Sequence, residues 1–544
     1  MGAIPALQVL MGAIRNMRRR HWLAATVILG LPLGIGAFVQ QSQSAGDGAR
    51  LFSQVIQRIE ESAVDSLARA AIFERAARGL VKQLNDPYAD LYSPEELASF
   101  QRQTLRNNYA GVGMQIESQD GAIIVARVFP NAPSEKGGVL AGDRIVAVDS
   151  VPVTGLRLDQ VSQRLLGTPG TEVKVVFQRP GLPEPIRTTF KRAVVRVPAV
   201  PYTLVLDGGV GYIPLQSFNE SAAQDVERSL QALKQQGARS FIIDVRGNGG
   251  GSLEQALEIG NLFFRPGQEL ASVRHRGRTP EVYRATRTSV VDSMPVAVLV
   301  DGYSASASEI VAGSLQDHDR ALVVGTTSFG KGLVQTLYPL DGGWAMKITT
   351  GKWYTPSGRS IQADHDRLGD ERFVEYAAEP GQTDSTRQRP VFKSDGGRPI
   401  LGGGGITPDI IVQSDTLTDP ERNLARAFGA HQSQWYIAVY STSLDLKGSV
   451  KPDFAVQPAW RETVWKKLQA SKVTVTRDQF EAGSALVDRE LERWTSRLAF
   501  GDSAWFRRSI KYDRQLQTAM EYLQRSPTQR QLLAQVPPME ATKP

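Results

Sequence analysis

This 544-residue chain has few of the side chains that serve the commonest forms of nucleophilic catalysis. It contains no cysteine, which excludes a thiol nucleophile, a thiolate metal site and a disulfide. Histidine is scarce, and no histidine lies in the G-x-S-x-G context of a serine hydrolase, so no Ser-His-Asp triad is indicated. The five histidines are His21, His275, His318, His365 and His431.

An excess of charge of one sign is also missing. The 63 basic and 56 acidic residues give a net charge of +7, and the basic residues are scattered apart from a few arginines near the N-terminus. No stretch interleaves basic and aromatic residues in the manner of a nucleic-acid interface. We therefore expect no nucleic-acid partner. The charge is typical of a solvated surface with some affinity for anionic lipid.

A serine-rich turn is the most informative feature that is present. The apolar run 294–300 predicts a buried strand, and Asp301-Gly302 ends it. Residues 305–315 then predict a helix, so the turn Ser304-Ala-Ser306-Ala-Ser308 lies at a helix start. Free backbone N–H groups at that end could bind an oxyanion beside a nucleophilic serine. The alternative is that these serines only cap the helix.

A serine nucleophile needs a base, and a lysine segment follows the turn. Lys331 stands between Gly330 and Gly332 and beside apolar residues, 25 positions after Ser306. Burial disfavours the ammonium form, which would lower the pKa of the lysine toward the value that a general base requires. The alternative is a solvated loop lysine.

The same segment also matches a phosphate-binding loop in part. Residues 325–331 read G-x-x-x-x-G-K, but Gly332 follows where Ser or Thr should hold magnesium. A strand, and not a helix, is predicted over 333–339. The nucleotide-binding interpretation is therefore rejected.

A glycine-rich turn precedes both segments. A predicted strand ends in Asp244-Val-Arg-Gly-Asn-Gly-Gly-Gly251, and a helix is predicted from Ser252. Such a turn brings bare backbone close to a ligand, which could be a phosphate. Beside the serine turn, it is better suited to donating an N–H to an oxyanion. We expect Gly251 to be that donor and the N–H of Ala307 to be the second.

Taken in order, these motifs resemble those of the C-terminal processing peptidases, or tail-specific proteases, of the Ser-Lys type. The resemblance covers about residues 50 to 412, and Gly249 departs from it because the family usually has proline there. The resemblance implies that Ser306 is the nucleophile, Lys331 the base and Gln335 the residue that orients the base. The matching segments are Phe241–Gly251, Ser304–Glu309, Phe329–Gln335, Tyr354–Arg359 and Gly405–Asp409.

A second module resembles a PDZ domain over residues 106–192. The loop Gly111-Val112-Gly113-Met114 has the Gly-x-Gly-apolar form of a carboxylate-binding loop, and strand, turn and helix patterns follow in the expected order. PDZ domains bind an extended peptide tail at a sheet edge. In the family, an arginine in the Arg-Gly-x-x-Gly turn helps to couple peptide binding to activation. Here Leu166 occupies that place and Arg164 lies two residues earlier.

The N-terminus predicts a membrane anchor. A basic segment, 1–21, precedes an uncharged run of eighteen residues, 22–39, and a polar spacer follows. This length suits either a membrane span or the apolar part of a signal peptide, and an uncleaved anchor is favoured because cleavage signals are poor. Met11 is an alternative start with the same topology. The arginines should remain cytoplasmic, which places the rest of the chain outside.

The fold class expected is α/β and multi-domain. An α/β Ser-Lys protease core (196–412) would carry an inserted PDZ domain with two helices, and a polar insert at 363–404 would form a surface loop. A helical segment, 46–105, would pack on the protease, and a helical extension would follow at 417–544. No motif assigns that extension, so an interaction domain, an oligomerisation arm and plain scaffolding stay open.

The predicted function is that of a membrane-anchored serine endopeptidase. It would recognise the C-terminal tails of extracytoplasmic proteins through its PDZ domain and cleave them, with no metal and no other cofactor. The expected location is the bacterial inner membrane with the catalytic part in the periplasm, and a homo-oligomer or an adaptor is a possible further partner. The alternative is a catalytically silent PDZ adaptor that only binds tails.

Overall fold

The computed structural model describes residues 47–104, 108–119, 122–129, 131–179, 182–363, 389–414, 417–471 and 473–537. The basic segment and the predicted anchor at 22–39 lie outside these residues. No helix in the described ranges is both long enough and apolar enough to cross a membrane. The chain divides into two compact units, 1–91 and 92–544.

The described part of the first unit is helical, as predicted for 46–105. Its helices are α1, residues 47–62, and α2, Arg69–Lys82, and strand β1, Asp90–Tyr92, spans its boundary. Helix α2 buries Ile72 and Val81. The helix predicted over 67–84 is thus present, with slightly shorter ends.

The predicted PDZ domain contains a sheet with the strand order β3-β4-β5-β7-β8, in which β6 also pairs with β5. Strands β2 and β9 form a separate pair. Its core includes Val161 of α5 and Ile145, Val173 and Phe177 of the sheet, all without solvent exposure. The elements, after helix α3 at Pro94–Thr104, are β2 Asn108–Gly111, β3 Met114–Gln119, β4 Ala122–Val128, α4 Pro133–Lys136, β5 Arg144–Val148, β6 Val151–Pro152, α5 Leu158–Leu165, β7 Glu172–Gln178, β8 Ile186–Lys191 and β9 Ala193–Arg196.

The protease core is built on a six-stranded sheet in the order β10-β11-β12-β15-β16-β21. All neighbours are parallel except β10 and β11. The central strands are continuous runs of buried residues, which is typical of a parallel sheet covered on both faces. The strands are β10 Leu204–Leu206, β11 Val210–Pro214, β12 Ser240–Asp244, β15 Val296–Val300, β16 Leu322–Gly325 and β21 Ile410–Ile411.

One face of this sheet is covered by helices α6, Ala222–Gln235, α7, Leu253–Asn261, and α8, Ala307–Asp317. Apolar residues of all three helices pack with Phe241, Ile243 and Val298 in one cluster. These helices follow β11, β12 and β15, so each begins near the carboxyl end of a strand. Functional residues are commonly found at this edge of open α/β sheets.

The other face is covered by the C-terminal extension. In helix α15, Arg514–Gln524, the residues Leu516, Ala519 and Leu523 pack with Ile242, Leu299 and other sheet residues. The packing of the core therefore continues beyond the boundary predicted at 412. Of the interpretations left open for the extension, scaffolding describes this part of it.

A second sheet is antiparallel and has the strand order β17-β18-β13-β14. In the sequence, its strands alternate with those of the parallel sheet. Its strands are β13 Glu269–His275, β14 Glu281–Arg284, β17 Leu333–Pro339 and β18 Ala345–Tyr354.

The polar insert at 363–404, predicted as a surface loop, contains a hairpin in its described part. Its residues 364–388 lie outside the described ranges. Strands β19, Val391–Lys393, and β20, Pro399–Leu401, form an antiparallel hairpin near its end. Arg398 binds the carboxylates of Asp319 and Asp409 at 2.6 Å each. The loop prediction was wrong here because these ion pairs to the core fix the hairpin.

Five further helices of the extension form their own cluster, which includes Tyr440, Val464, Leu468 and Phe480. Ala141 of the PDZ domain packs against this cluster. A Cβ on the neighbouring Gly142 would lie 2.3 Å from the Tyr436 hydroxyl, so the two surfaces are in close contact. These five helices are α9 Asp419–Ala427, α10 Gln432–Leu446, α11 Pro458–Ala470, α12 Arg477–Ala482 and α13 Ser484–Phe500. Helices α14, Asp502–Ser509, and α16, Gln529–Leu533, instead contribute Phe506 and Leu532 to the cluster at the parallel sheet.

Candidate active site

Ser306 is the N-cap of α8, at the turn that follows β15. Its φ of 55° and ψ of −111° lie outside the regions that residues with a side chain readily adopt. Such backbone strain is often concentrated at functional sites. Ser306 is partly exposed, whereas Ser304 and Ser308 have no exposed surface. The three serines of the turn are thus not equivalent.

The two buried serines connect the serine turn to the glycine turn. The Ser304 hydroxyl donates to the Val245 carbonyl at 2.8 Å, and the Ser308 hydroxyl donates to the Asn248 carbonyl at 2.7 Å. The N–H of Ala305 also donates to the Asn248 carbonyl, at 3.1 Å. These bonds hold the two turns side by side. Ser304 and Ser308 therefore have a structural role, although it is not the helix capping that the alternative interpretation proposed.

Glu309 joins the serine turn to the lysine segment. Its carboxylate accepts hydrogen bonds from the N–H of Ser306 at 2.8 Å and from the N–H of Lys331 at 2.9 Å, both on Oε2. The other oxygen, Oε1, accepts from the Ser328 hydroxyl at 2.5 Å and from the N–H of Gly330 at 2.6 Å. Burial raises the pKa of Glu309 to about 7, although these four donors oppose the rise.

No role for this glutamate was predicted from the sequence. A signal was available, since Ser306 and Glu309 have the S-x-x-E spacing of a capping box. That motif predicts the bond to the N–H of Ser306. It does not predict that the same carboxylate reaches a segment more than twenty residues later.

The lysine segment is held on both sides. The N–H of Phe329 donates to the Ser304 carbonyl at 3.0 Å, and the carbonyl of Lys331 accepts from the indole N–H of Trp353 at 2.9 Å. Lys331 is itself partly buried. Strand β17 begins at Leu333, so the helix that a phosphate-binding loop requires does not follow.

Gln335 lies on β17, four residues after the lysine. A register shift between Val334 and Gln335 interrupts the pairing of β17 with β18. The amide nitrogen of Gln335 donates to the Thr349 hydroxyl at 3.4 Å. A register shift of this kind changes the direction of side chains where it arises from a β-bulge.

Two backbone N–H groups lie where an oxyanion site was predicted. Within the described part of the chain, the N–H groups of Ala307 and Gly251 donate to no protein acceptor. The N–H of Gly250, in contrast, donates to Asn248 Oδ1 at 2.9 Å. A Cβ on Gly250 would lie 2.9 Å from the Cβ of Ser306, so only glycine fits at this point of the turn.

No histidine of the described ranges donates to or accepts from Ser306. His275 bonds the Thr350 carbonyl, His318 bonds Asp395 and a backbone carbonyl, and His431 bonds a threonine hydroxyl.

The predicted carboxylate-binding loop lies in the PDZ domain, between β2 and β3. Gly113 has a φ of +86°, and its carbonyl accepts from the Phe129 N–H at 2.9 Å and the Ser134 hydroxyl at 2.6 Å. The side chains of Val112 and Met114 are buried in the PDZ core. The N–H of Val112 donates to no acceptor among the described residues, whereas the hydroxyl of Tyr109 lies against the backbone of Gly113 and Met114.

The turn after α5 is contacted by an arginine from the junction between β8 and β9. The guanidinium of Arg192 donates to the carbonyls of Arg164 at 2.8 Å and Leu165 at 3.2 Å. A Cβ on Gly167 would lie 2.8 Å from this side chain. Arg192 was not predicted from the sequence, because it lies outside the turn and no local spacing connects it to Arg164.

Comparison with known proteins identifies the family. The model of peptidase family S41 matches residues 209–366, and a PDZ domain model matches residues 124–179. The carboxy-terminal processing protease CtpA of Bacillus subtilis is 32% identical over 59% of this chain and 68% of its own length. A carboxy-terminal-processing protease of Bartonella bacilliformis is 34% identical over 57% of this chain and 72% of its own.

A chloroplast relative extends the similarity beyond bacteria. The C-terminal processing peptidase of Tetradesmus obliquus is 32% identical over 60% of this chain and 73% of its own length. All three relatives are at least 32% identical to this chain, and it covers at least 68% of the length of each. The chain therefore belongs to peptidase family S41 and is a serine peptidase of the carboxy-terminal processing class, with a PDZ domain.

Proposed function

We propose that the chain cleaves peptide bonds with Ser306 as nucleophile and Lys331 as general base. The observation that carries this proposal is the carboxylate of Glu309, which binds the N–H groups of both residues. Two segments that lie 25 residues apart in the chain are thereby held at one point. The partial exposure and strained backbone of Ser306 add to this argument.

In this mechanism the neutral amine of Lys331 takes the hydroxyl proton of Ser306 as the serine oxygen attacks the scissile carbonyl. The N–H groups of Ala307 and Gly251 receive the oxyanion that forms. The lysine then gives its proton to the leaving amine, and water hydrolyses the acyl-enzyme by the reverse route. Gln335 orients the lysine side chain in this scheme.

Three substitutions test the proposal in the full chain. Ser306→Ala and Lys331→Ala should each abolish cleavage of an unstructured protein substrate. Lys331→Arg should also fail, because an arginine cannot become a neutral base. The matched control is Lys451→Ala, at an exposed lysine of the C-terminal extension, which should keep full activity. Wild-type cleavage by the Lys331→Ala variant would refute the assignment.

We further propose that residues 111–114 receive the terminal carboxylate of the substrate. The N–H of Val112, which donates to no acceptor in the described part of the chain, and the left-handed φ of Gly113 support this role. Because the side chains of this loop are buried, the clean test changes the substrate instead of the loop. A free-acid substrate should be cleaved faster than its C-terminally amidated twin. Equal rates would show that the loop does not read the tail.

Finally, we propose that residues 22–39 anchor the chain in the bacterial inner membrane, with the protease in the periplasm. The uncharged run and the arginines before it support this topology. The full chain should fractionate with membranes. In cells with a permeable outer membrane, added protease should degrade the part after residue 45. Protection of that part in such cells, with the inner membrane intact, would contradict the orientation.

A further inference from the structure

Arg246 stands at the start of the glycine turn and is bound by residues of the C-terminal extension. It lies two residues after β12 ends, and its Nε and Nη2 donate to the carboxylate of Asp244 at 2.9 and 2.6 Å. Its Nη1 and Nη2 donate to the carboxylate of Asp513 at 2.9 and 2.7 Å. Nη1 also donates to the amide oxygen of Gln515 at 2.9 Å. One guanidinium is thus shared between the core sheet and the extension.

The extension presents these two acceptors in a fixed geometry. Asp513 is the N-cap of α15, where its Oδ1 also accepts from the N–H of Leu516 at 3.0 Å. Gln515 is buried, and its amide nitrogen donates to the Val412 carbonyl at 2.8 Å. Helix α15 is in turn packed on the parallel sheet. Asp513 and Gln515 are therefore held in place, and a movement of the glycine turn would break their hydrogen bonds to Arg246.

Hydrogen bonds connect the residues after Arg246 to the turn that carries Ser306. The N–H of Gly247 donates to both carboxylate oxygens of Asp301, at 3.0 and 3.1 Å. The carbonyl of Asn248 accepts from the N–H of Ala305, the residue before Ser306. The position of the guanidinium thus fixes where the glycine turn leaves the sheet.

We propose that Asp513 and Gln515 are positioning residues for the glycine turn, which carries the Gly251 N–H. Helix α15 is then needed for catalysis and not only for folding. Both lie outside residues 209–366, which the S41 family model matches. Hydrogen bonds between ionised partners are about twice as strong as neutral ones, and this arginine is only 18% exposed. The inference rests on the proposed roles of Ser306 and of the Gly251 N–H.

The test separates the charge of Asp513 from its function as a helix cap. Asparagine and serine cap helices about as well as aspartate, but neither offers a carboxylate to the arginine. In the full chain, Asp513→Asn and Asp513→Ser should lower kcat about tenfold and leave KM within about twofold, because a displaced turn affects the transition state more than substrate binding. Their melting temperatures should stay close to that of the wild type.

The control breaks another ion pair of the extension. Glu462 accepts from Arg477 at 2.7 Å within the extension, and Glu462→Gln should leave kcat unchanged. The inference is overturned if both Asp513 variants keep wild-type kcat, or if their losses of kcat only follow a loss of folded protein. Ser306→Ala, assayed alongside, tests the proposed function separately. Activity in that variant would refute the nucleophile, whereas an inactive Ser306→Ala with fully active Asp513 variants would refute only the inference.

Discussion

The substitution Glu309→Gln should lower the activity of this protein strongly while changing its free energy of unfolding little. The carboxylate has no solvent exposure and accepts from four donors, three of them backbone N–H groups. A glutamine has nearly the same shape and no charge. One of its two terminal atoms is an NH2 group, which cannot accept a hydrogen bond. At least one of the four donors must therefore lose its partner.

The orientation of the glutamine decides which donor is lost. With its NH2 group in place of Oε2, it would face the N–H groups of Ser306 and Lys331, and both would be left without an acceptor. With its NH2 group in place of Oε1, it would face the hydroxyl of Ser328, which can turn to accept, and the N–H of Gly330. The second orientation leaves a single N–H unsatisfied and costs about 1–3 kcal/mol.

An opposing effect comes from removing the buried charge. Burial raises the pKa of Glu309 from 4.5 to about 7, so above pH 7 the folded protein holds a charge that the fold disfavours by about 3 kcal/mol. The glutamine does not carry this cost. The two effects nearly cancel, and we expect the free energy of unfolding at pH 8 to change by less than about 2 kcal/mol. This is smaller than the about 3–5 kcal/mol typical of breaking a buried ion pair.

The activity, in contrast, should fall strongly. Loss of the bond to Gly330 loosens the segment that carries Lys331, and a small misplacement of a catalytic group can cost about a hundredfold in rate. We expect kcat at pH 8 to fall by about 10- to 100-fold in cleavage of an unstructured protein. The matched control is Glu421→Gln, since Glu421 is a buried glutamate in another capping box, with Thr418. It should leave kcat unchanged.

The pH dependence of unfolding provides a separate check. The folded protein releases the Glu309 proton near pH 7 and the unfolded chain near pH 4.5, so the folded state holds more protons between these values. The stability that this group contributes is fully present below pH 4.5 and is lost as the pH rises through 7. The stability of the glutamine variant relative to wild type should therefore increase by up to about 3 kcal/mol from pH 5 to pH 8, measured by urea unfolding. Wild-type kcat in the variant, or no change in this difference with pH, would refute the reasoning.

Further predictions concern glycines and a buried charge. Gly250→Ala would place a methyl group 2.7 Å from a backbone carbonyl of the serine turn and should abolish cleavage, whereas Gly249→Ala meets no atom within 4 Å and should stay active. Gly142→Ala would bring a methyl group 2.3 Å from the Tyr436 hydroxyl, and should expose the contact between the PDZ domain and the extension to limited proteolysis. Asp317→Asn removes one partner of an ion pair whose side chains are at most 1% exposed, and should lower the free energy of unfolding by about 3–5 kcal/mol in urea. An unchanged protease pattern or urea midpoint, respectively, would contradict the last two.

The candidate site could be located from the sequence because its parts are marked by local patterns. The strand before Ser306, the helix after it and the glycine turn each have a characteristic spacing of apolar and small residues. The family resemblance then supplied the roles of Lys331 and Gln335. What a local pattern could not supply was the partner of a side chain in a distant segment. Glu309, Arg192 and Arg398 were all missed for this reason.

The sequence by itself determined which segments form strands and helices, since hydrophobic periodicity and turn residues act within a few positions. It also determined the family, through an ordered set of motifs. Only the tertiary structure decided that α15 covers the second face of the parallel sheet and that Asp513 binds Arg246, 267 positions earlier. Such contacts depend on the order of strands in the sheet and on how helices pack against it. No spacing within a single segment encodes that order.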